Sequence, residues 1–252
     1  MDIPLNLAWL ESTSLAAVRM TAFLFLAPPF SFTAFPARVK AMLAVGLSLA
    51  VSPAVSRGYH TLETPEYLMA LVLELVVGAV LGLLVMLVFS AIQSAGSLID
   101  LFGGFSMAQG FDPLSMINGA QFTRLFQMTA LALMFSSGAY QIIIGGLTRS
   151  FSAFPIGGGI DLGDPVQSMI SGLTQMFLAS IQIAGPLLVV LFLADAGLGL
   201  LTRVAPALNA FTMSFPLKIM MTLTLVSIIF VALPGVVSKL TGDAIKVLAG
   251  VG

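Results

Sequence analysis

Four charged residues stand inside long apolar runs of this sequence, and they are the side chains most able to do chemistry. They are Arg19, Glu74, Asp195 and Lys218. A charge at the centre of a membrane-spanning helix costs about 2.5–3.5 kcal/mol on insertion scales, so each of them needs a partner or a task. Two kinds of chemistry fit: ion pairs that hold helices together, or a path for ions or protons across a membrane.

Depth along the helices predicts how these charges pair. If the last two helices turn near Pro206, Asp195 and Lys218 each lie roughly 17 Å from the bend, at about 1.5 Å per residue. Arg19 and Glu74 enter from one face, roughly 9 and 12 Å deep by the same rise. We therefore expect Asp195 to pair with Lys218, and Arg19 with Glu74. A path for ions needs more polar groups in register, whereas these segments offer mostly serine, threonine and glycine, so pairing is the favoured interpretation.

Other candidates for catalysis or cofactor binding are few. His60 is the only histidine, it lies in a polar turn, and the chain has no cysteine. A zinc site or a Ser/His relay needs partners that the neighbouring sequence lacks. Gly157-Gly158-Gly159 is not followed by the Lys-Ser/Thr of a phosphate-binding loop. We therefore expect no enzyme activity, no metal and no cofactor.

The composition indicates an integral membrane protein. Of 252 residues, 58% are hydrophobic and 8% are charged, and the mean hydropathy is +1.07, whereas a globular domain carries about 25% charged residues. The net charge is -1 and lysine and arginine do not cluster, so the chain offers no electrostatic footing for nucleic acid. Acids and no base precede the first apolar run, so we expect the first helix to be retained rather than cleaved as a signal peptide.

The apolar runs predict an all-α membrane protein with about six long helices arranged as hairpins. About 20 residues span a bilayer, and we expect Pro28-Pro29 to kink or split the first helix. The fifth helix is too long for one span, so part of it must leave the bilayer or it must break, with Gly185-Pro186 as the place for a break. Thr64-Pro65-Glu66 supplies a cap, a first-turn proline and an early carboxylate for the third helix. The predicted helices are Leu15–Phe35, Ala41–Val55, Thr64–Gln93, Leu125–Leu147, Val166–Leu201 and Phe211–Leu233.

The third helix carries a face suited to close packing. Glu74, Gly78 and Gly82 follow one another at four-residue spacing, so they share one side of a helix. Small residues at that spacing let a second helix approach closely. Such a neighbour would bury Glu74.

A broken, glycine-rich stretch, Leu98–Arg124, separates the two halves of the chain. Gly103-Gly104 and Gly110 free its backbone, and Asp112-Pro113 stops any helix. An irregular backbone at membrane depth persists only where it is buried in protein or lines a cavity. The stretch is therefore either a loop that closes something or an ordinary re-entrant loop at the membrane interface. Its bulky apolar side chains are Phe102, Phe105, Met107, Phe111, Leu114 and Met116.

We expect one domain over residues 1–252, with N-terminal helices in 1–97, the loop in 98–124 and C-terminal helices in 125–252.

A transporter built from two inverted halves should match its first interhelical loop to its fourth. Here Pro36–Lys40 is short and basic, while Thr148–Pro165 is long, glycine-rich and acidic. This mismatch disfavours a small-molecule or ion transporter without excluding it. A transporter and a membrane scaffold without a gate are the two alternatives to the function inferred below.

Three patches of the sequence carry a resemblance to a known family. They are APPFSFTAFPARVK from Ala27 to Lys40, GGFSMAQGFDP from Gly103 to Pro113, and GLGLLTRVAPALNAFTMSFPLKI from Gly197 to Ile219. Their order, with FPIGG at Phe154–Gly158, extends the resemblance over nearly the whole chain. In these patches the chain resembles the FliR-type subunit of the flagellar export gate, which has a counterpart in type III secretion injectisomes.

The resemblance implies a subunit of the gate that exports unfolded flagellar proteins, in the bacterial inner membrane and within the flagellar basal body. It implies FliP-type and FliQ-type partners, with FlhB-type and FlhA-type proteins beside them. The central loop of that family plugs the pore, and Phe105, Met107 and Phe111 would bear the seal here. The plug residues implied by the match are Phe102, Gly103, Gly104, Phe105, Met107, Gly110, Phe111, Asp112 and Pro113.

Overall fold

The computed structural model describes residues 6–32, 35–105, 121–157, 163–205 and 210–248. Within these ranges the chain forms helices and turns and no strand, which confirms the predicted all-α fold. Long apolar segments form helices because a helix satisfies its own backbone hydrogen bonds, and the interior of a membrane offers no water to do so. The helices are α1 (Leu7–Leu26), α2 (Ala37–Val55), α3 (Thr64–Phe102), α4 (Gln121–Ser136), α5 (Ala139–Ala153), α6 (Gly163–Val204) and α7 (Ala210–Leu248).

The described residues contain four helices long and apolar enough to cross a membrane: Ala37–Val55, Thr64–Phe102, Met169–Val204 and Met213–Gly242. A fifth candidate is the pair α4 and α5, which meet at a bend of 76° and form either a broken span or a re-entrant loop. These lengths and compositions are those of a membrane protein.

The fourth predicted helix, Leu125–Leu147, is two helices in the structure. Gly138 adopts a left-handed conformation with φ +71°, and this conformation, which glycine adopts without strain, ends α4 and redirects the chain. α5 then continues to Ala153. The irregular region that the sequence predicts from Thr148 therefore starts too early by about one and a half turns.

Proline ends one predicted helix and leaves two others unbroken. α1 ends at Leu26, just before the proline pair that is predicted to kink or split the first helix. α6 runs for 42 residues through Pro186 without the predicted break, and α7 contains both Pro216 and Pro234. Membrane helices tolerate proline where neighbouring groups take up the freed backbone atoms. At about 1.5 Å per residue, α6 is roughly 63 Å long, about twice the hydrocarbon thickness of a bilayer.

The third helix ends at Phe102, which corrects the prediction that it ends near Gln93 and that the broken stretch begins at Leu98. Ala95 and Ile99 are fully buried at four-residue spacing, so packing extends the helix through a segment whose local sequence favours a turn. The turn after this helix therefore lies at Gly103-Gly104, five residues beyond the predicted start of the broken stretch.

The chain divides into two compact units. The first contains α1, α2, α3 up to Val88, α5 and the beginning of α6. Gly78 and Gly82 bring α3 against α1 there, because a methyl group at Gly78 would overlap the carbonyl oxygen of Arg19, and one at Gly82 would lie 3.0 Å from that of Phe23. The glycine face predicted for the third helix therefore packs against the first helix.

The second unit contains α3 from Phe89, α4, α6 from Thr174 and α7 up to Lys239. Its interior includes the buried side chains of Ile92, Met134 and Leu187. The rings of Phe126 and Phe230 meet edge to face, with centroids 5.3 Å apart. α3 and α4, which flank the central stretch, thus share one core within this unit.

Candidate functional site

Arg19 lies at the centre of a buried polar cluster in the first unit. Its guanidinium pairs with Glu74 through two nitrogens, and Nη2 lies 3.0 Å from Oε1 of that carboxylate. Nη2 also donates to the carbonyl oxygen of Phe154 at 2.8 Å, and Nη1 to the Ser150 hydroxyl at 3.4 Å. The guanidinium carbon stands 4.3 Å from the ring centre of Phe151. One side chain on α1 thereby binds α3 and the end of α5.

The sequence predicts Arg19 and Glu74 as a pair, and the structure places them together. It also adds contacts that the sequence did not indicate, because the carbonyl group of Phe154 follows α5, where helix carbonyls lack partners and attract cations. Both charged side chains are almost fully buried. Such a pair is retained only when its hydrogen bonds are satisfied, and here they are.

The second predicted pair is also brought together, in a different environment. Lys218 Nζ on α7 lies 2.7 Å from Asp195 Oδ2 on α6. The Asp195 side chain is 44% exposed on the chain by itself, and the Lys218 side chain 18%. Large apolar side chains on the same two helices are more than half exposed on the chain by itself: Val189, Phe192, Leu193, Met220 and Leu223. We refer to these exposed side chains together as the apolar face of α6 and α7.

The structure describes only the beginning of the predicted plug. Phe102 ends α3, Gly103 and Gly104 form a turn, and Gly104 has φ +83°, a conformation suited to glycine. The ring of Phe105 packs edge to face on Phe122 of α4, with centroids 4.9 Å apart. The other predicted plug residues lie outside the described residues: Met107, Gly110, Phe111, Asp112 and Pro113.

Asp100 is the residue at this site that the sequence interpretation missed. It is fully buried in the last turn of α3. Its Oδ1 accepts a hydrogen bond from the backbone N–H of Phe122 at 2.9 Å. Its Oδ2 accepts from the backbone N–H of Thr123 at 2.8 Å and from the Thr123 hydroxyl at 2.9 Å. Both amides belong to the first turn of α4, on the far side of the central stretch.

A signal for Asp100 was present in the sequence. A carboxylate in the last turn of a helix opposes the helix dipole, so Asp100 needs a compensating donor from elsewhere. The interpretation of Leu98–Arg124 as irregular backbone concealed this, because an acid in a loop calls for no such explanation. The correct end of α3 at Phe102 makes the residue conspicuous.

A third polar cluster joins the start of α1 to the turn before α3. The Tyr59 hydroxyl donates to Glu11 Oε2 at 3.3 Å, and the Leu62 backbone N–H donates to the same oxygen at 3.2 Å. Burial, and then the Glu11 carboxylate, raise the pKa of Tyr59 to about 12. The phenol therefore stays protonated and remains a donor over the whole physiological range.

A known protein family matches the chain over most of its length. Residues 10–244 match the model of the family described as "Bacterial export proteins, family 1". The chain belongs to this family. The match includes the central stretch and the sites around Arg19, Glu11, Asp100 and the Asp195–Lys218 pair.

Relatives of this export family come from flagella and from type III secretion. The flagellar biosynthetic protein FliR of Escherichia coli K12 is 28% identical over 97% of this chain and 94% of its own. FliR of Bacillus subtilis 168 is 31% identical, over 94% and 95%. The Yop proteins translocation protein T of Yersinia pestis is 29% identical, over 68% and 67%.

Membership of the export family assigns the chain as a subunit of a type III protein-export apparatus. The comparisons give no support to a small-molecule or ion transporter. The family is described as one of export proteins. Each of the two ion pairs joins two helices, which is what a structural role of these charges predicts.

Proposed function

We propose that this chain helps to form and to seal the channel of the flagellar export gate, with Phe102–Pro113 as the movable plug. The observation that carries the proposal is the anchoring of the central stretch. It leaves α3 through a glycine turn and returns to α4, and α3 and α4 are joined by three hydrogen bonds to one buried carboxylate. A segment whose two ends are held at one place is suited to closing an opening.

The side chains of the proposed plug suit a seal against varied cargo. A channel wide enough for polypeptide must remain closed to ions when idle, and an apolar constriction can do so by excluding water. Methionine and phenylalanine repack around differing shapes more readily than branched side chains do. Phe105, Met107 and Phe111 supply that surface, and the glycines around them give it room to move.

We further propose that the apolar face of α6 and α7 is covered by FliP-type and FliQ-type subunits, with FlhB-type and FlhA-type proteins beside them. Phe192 is 65% exposed and Val231 is 84% exposed on the chain by itself. An ion pair within such a face is costly against lipid. A protein neighbour would supply it with polar groups. This assembly would stand in the bacterial inner membrane, as part of the flagellar basal body.

The sealing function is tested by measuring ion leak through the assembled export complex in membranes. Deletion of residues 103–110 should make the complex leaky. Serine at Phe105, Met107 and Phe111 together should do so in part, because the loop remains but loses its apolar surface. Leucine at the same three positions is the matched control, since it keeps the apolar character, and should remain tight. Unaltered leak after both the deletion and the serine changes would reject the plug.

The assembly is tested by purification in mild detergent. The chain should copurify with FliP-type and FliQ-type subunits. A transporter would instead catalyse flux in liposomes as the purified chain alone. A scaffold without a gate would copurify with the same partners, but deletion of the loop would leave ion leakage unchanged.

A further inference from the structure

A cavity of about 330 Å³ opens between the end of α2 and the end of α5, within the first unit. Sites for small ligands have volumes of about 300–1,000 Å³, so this cavity is large enough for a headgroup. Its wall is part apolar and part polar. The wall includes the apolar side chains of Val51, Val55 and Ile156 and the polar ones of Arg57, Thr148 and Ser152. Such a cavity suits a ligand that is itself amphipathic.

The cavity lies at the edge of the apolar part of α2. The candidate span Ala37–Val55 ends among the lining residues, and the turn beyond it contributes Arg57 and Tyr59. Trp9 lies at the same level, since its indole N–H donates to the Ser52 hydroxyl at 2.9 Å. Tryptophan and tyrosine collect where the hydrocarbon of a membrane meets the lipid headgroups. This position indicates that the cavity opens at headgroup level.

Two helix ends supply hydrogen-bond acceptors to the cavity. α2 and α5 both end there, and neither has a basic residue in its last turn. The last carbonyl groups of a helix lack partners within it and attract cations. Among the described residues, no backbone N–H donates to the carbonyl oxygens of Ala54, Val55 and Phe151. The residue four positions after Phe151 is Pro155, which has no N–H to donate. The cavity thus offers acceptors to a ligand with a positively charged N–H donor.

Arg57 supplies a positive charge to the same cavity. It is exposed in the turn after α2, and its guanidinium forms no ion pair or hydrogen bond within the described part of the chain. A guanidinium binds phosphate oxygens through two parallel N–H bonds. The cavity therefore combines one cation with free carbonyl oxygens. This pattern is complementary to a ligand in which a phosphate and an ammonium group stand side by side.

We propose that this cavity binds the phosphoethanolamine headgroup of a phospholipid. The phosphate pairs with Arg57, and the ammonium group donates to the carbonyl oxygens at the ends of α2 and α5. The acyl chains leave past Val51, the lining residue of α2 that lies deepest in its apolar segment. The site does not depend on the sealing function proposed above, because all of its residues belong to the first unit and lie outside the central stretch.

The test measures how far a lipid protects a thiol in the cavity. The chain has no cysteine, so Ala54→Cys places a single thiol on the cavity wall. Thr61→Cys is the control, because Thr61 is exposed just beyond the same turn and does not line the cavity. The full chain in detergent reacts with a water-soluble maleimide, with and without dioleoyl phosphatidylethanolamine. The lipid should slow the reaction of Ala54→Cys roughly tenfold at about ten times its Kd and leave Thr61→Cys unchanged.

Two lipids with the same acyl chains test the headgroup chemistry. Phosphatidylcholine keeps both charges but has no N–H to donate, and phosphatidylglycerol keeps the phosphate without the cation. Both should protect Ala54→Cys severalfold less than phosphatidylethanolamine does. Free phosphoethanolamine should protect it least, because it lacks the acyl chains.

The role of Arg57 is tested in the Ala54→Cys chain. Arg57→Gln should raise the Kd for phosphatidylethanolamine by roughly tenfold or more. Arg38→Gln is the matched control, since Arg38 is an exposed arginine at the other end of α2, and it should leave the Kd unchanged. Before lipid is added, Arg57→Gln should be as stable as the parent chain, because its guanidinium has no partner in the described chain to lose.

Each other outcome contradicts a stated part of the proposal. Absence of protection, or equal protection of Ala54→Cys and Thr61→Cys, overturns the site. Equal protection by the three lipids overturns the choice of headgroup, and equal protection by free phosphoethanolamine overturns the choice of a lipid. An unchanged Kd in Arg57→Gln overturns the phosphate contact. If Ala54→Cys is unreactive in the assembled export complex after its lipid has been removed, a subunit covers the cavity and the lipid site is overturned. Where Arg57→Gln lowers the amount of folded chain, the comparison of lipids decides.

Discussion

The cluster around Arg19 gives the sharpest prediction for stability. The perturbations are Arg19→Met, Glu74→Gln, and the double variant Arg19→Met with Glu74→Gln. They differ in what they leave behind. Arg19→Met leaves the Glu74 carboxylate buried alone and removes the donor to the Phe154 carbonyl oxygen. Glu74→Gln leaves the guanidinium with that carbonyl and with the ring of Phe151.

The magnitudes follow from these remaining contacts. Removing one partner of a buried ion pair costs about 3–5 kcal/mol because the other charge stays buried without compensation. We expect Arg19→Met at the upper end of this range and Glu74→Gln at the lower end. The double variant removes both charges and should cost clearly less than the sum of the single changes. At roughly 2–4 °C per kcal/mol, Arg19→Met should lower the Tm by roughly 10–20 °C.

The assay is thermal unfolding of the purified chain in detergent, with all variants under one condition. Arg57→Met and Glu66→Gln are the controls. They remove the same kinds of charge as the test variants, but from side chains that are exposed, so they should shift the Tm very little. A double variant as unstable as the sum of its parts would refute the coupling, and a Tm for Arg19→Met near that of Arg57→Met would refute the burial argument.

Three further predictions concern the other contacts. Lys218→Met should impair assembly more than Lys218→Met with Asp195→Asn, because the single change leaves an unpaired charge; a worse double variant would contradict the pairing. Gly78→Ala should destabilise the chain by about 1–3 kcal/mol through overlap with α1, whereas Gly185→Ala, with open space around it, should cost nothing in the same unfolding assay. The pKa of Tyr59 in the folded chain is about 12 against an ordinary 10.0. The contribution of Tyr59 to the stability of the fold is therefore complete below pH 10 and is lost as the pH rises to 12. Phenolate absorbance, with the signal of the Tyr59→Phe variant subtracted, measures this titration, and a pKa near 10 would contradict the prediction.

Much of the fold follows from the sequence because the membrane restricts the choices. Apolar runs of this length can satisfy their backbone only as helices, so the all-α fold and the order of the long helices were predictable. The charged residues inside the apolar runs indicated contacts between helices, because a membrane makes unpaired charges costly. Each was too costly to stand alone, and depth in the helix was enough to place Asp195 opposite Lys218.

Helix ends and distant contacts were harder to predict. α3 continues to Phe102 because Ile99 and its neighbours are buried by other helices, and this information is not local. α6 passes through Pro186, although proline is the strongest local signal for a break. The bond from Asp100 to Thr123 joins residues whose proximity depends on how α3 and α4 pack. The apolar plug over residues 102–113 stays a prediction from the sequence, whereas the contact of Asp100 with α4 required the fold.

The partly exposed contact between Asp195 and Lys218 should respond to the neighbours that we propose for the apolar face of α6 and α7. Attraction between opposite charges grows as the surrounding dielectric constant falls, so a protein that covers this face strengthens a bond it need not touch. With those neighbours in place, the link between α6 and α7 would be firmer than in the chain by itself. Incorporation would in this way complete the folding of the subunit that is being incorporated.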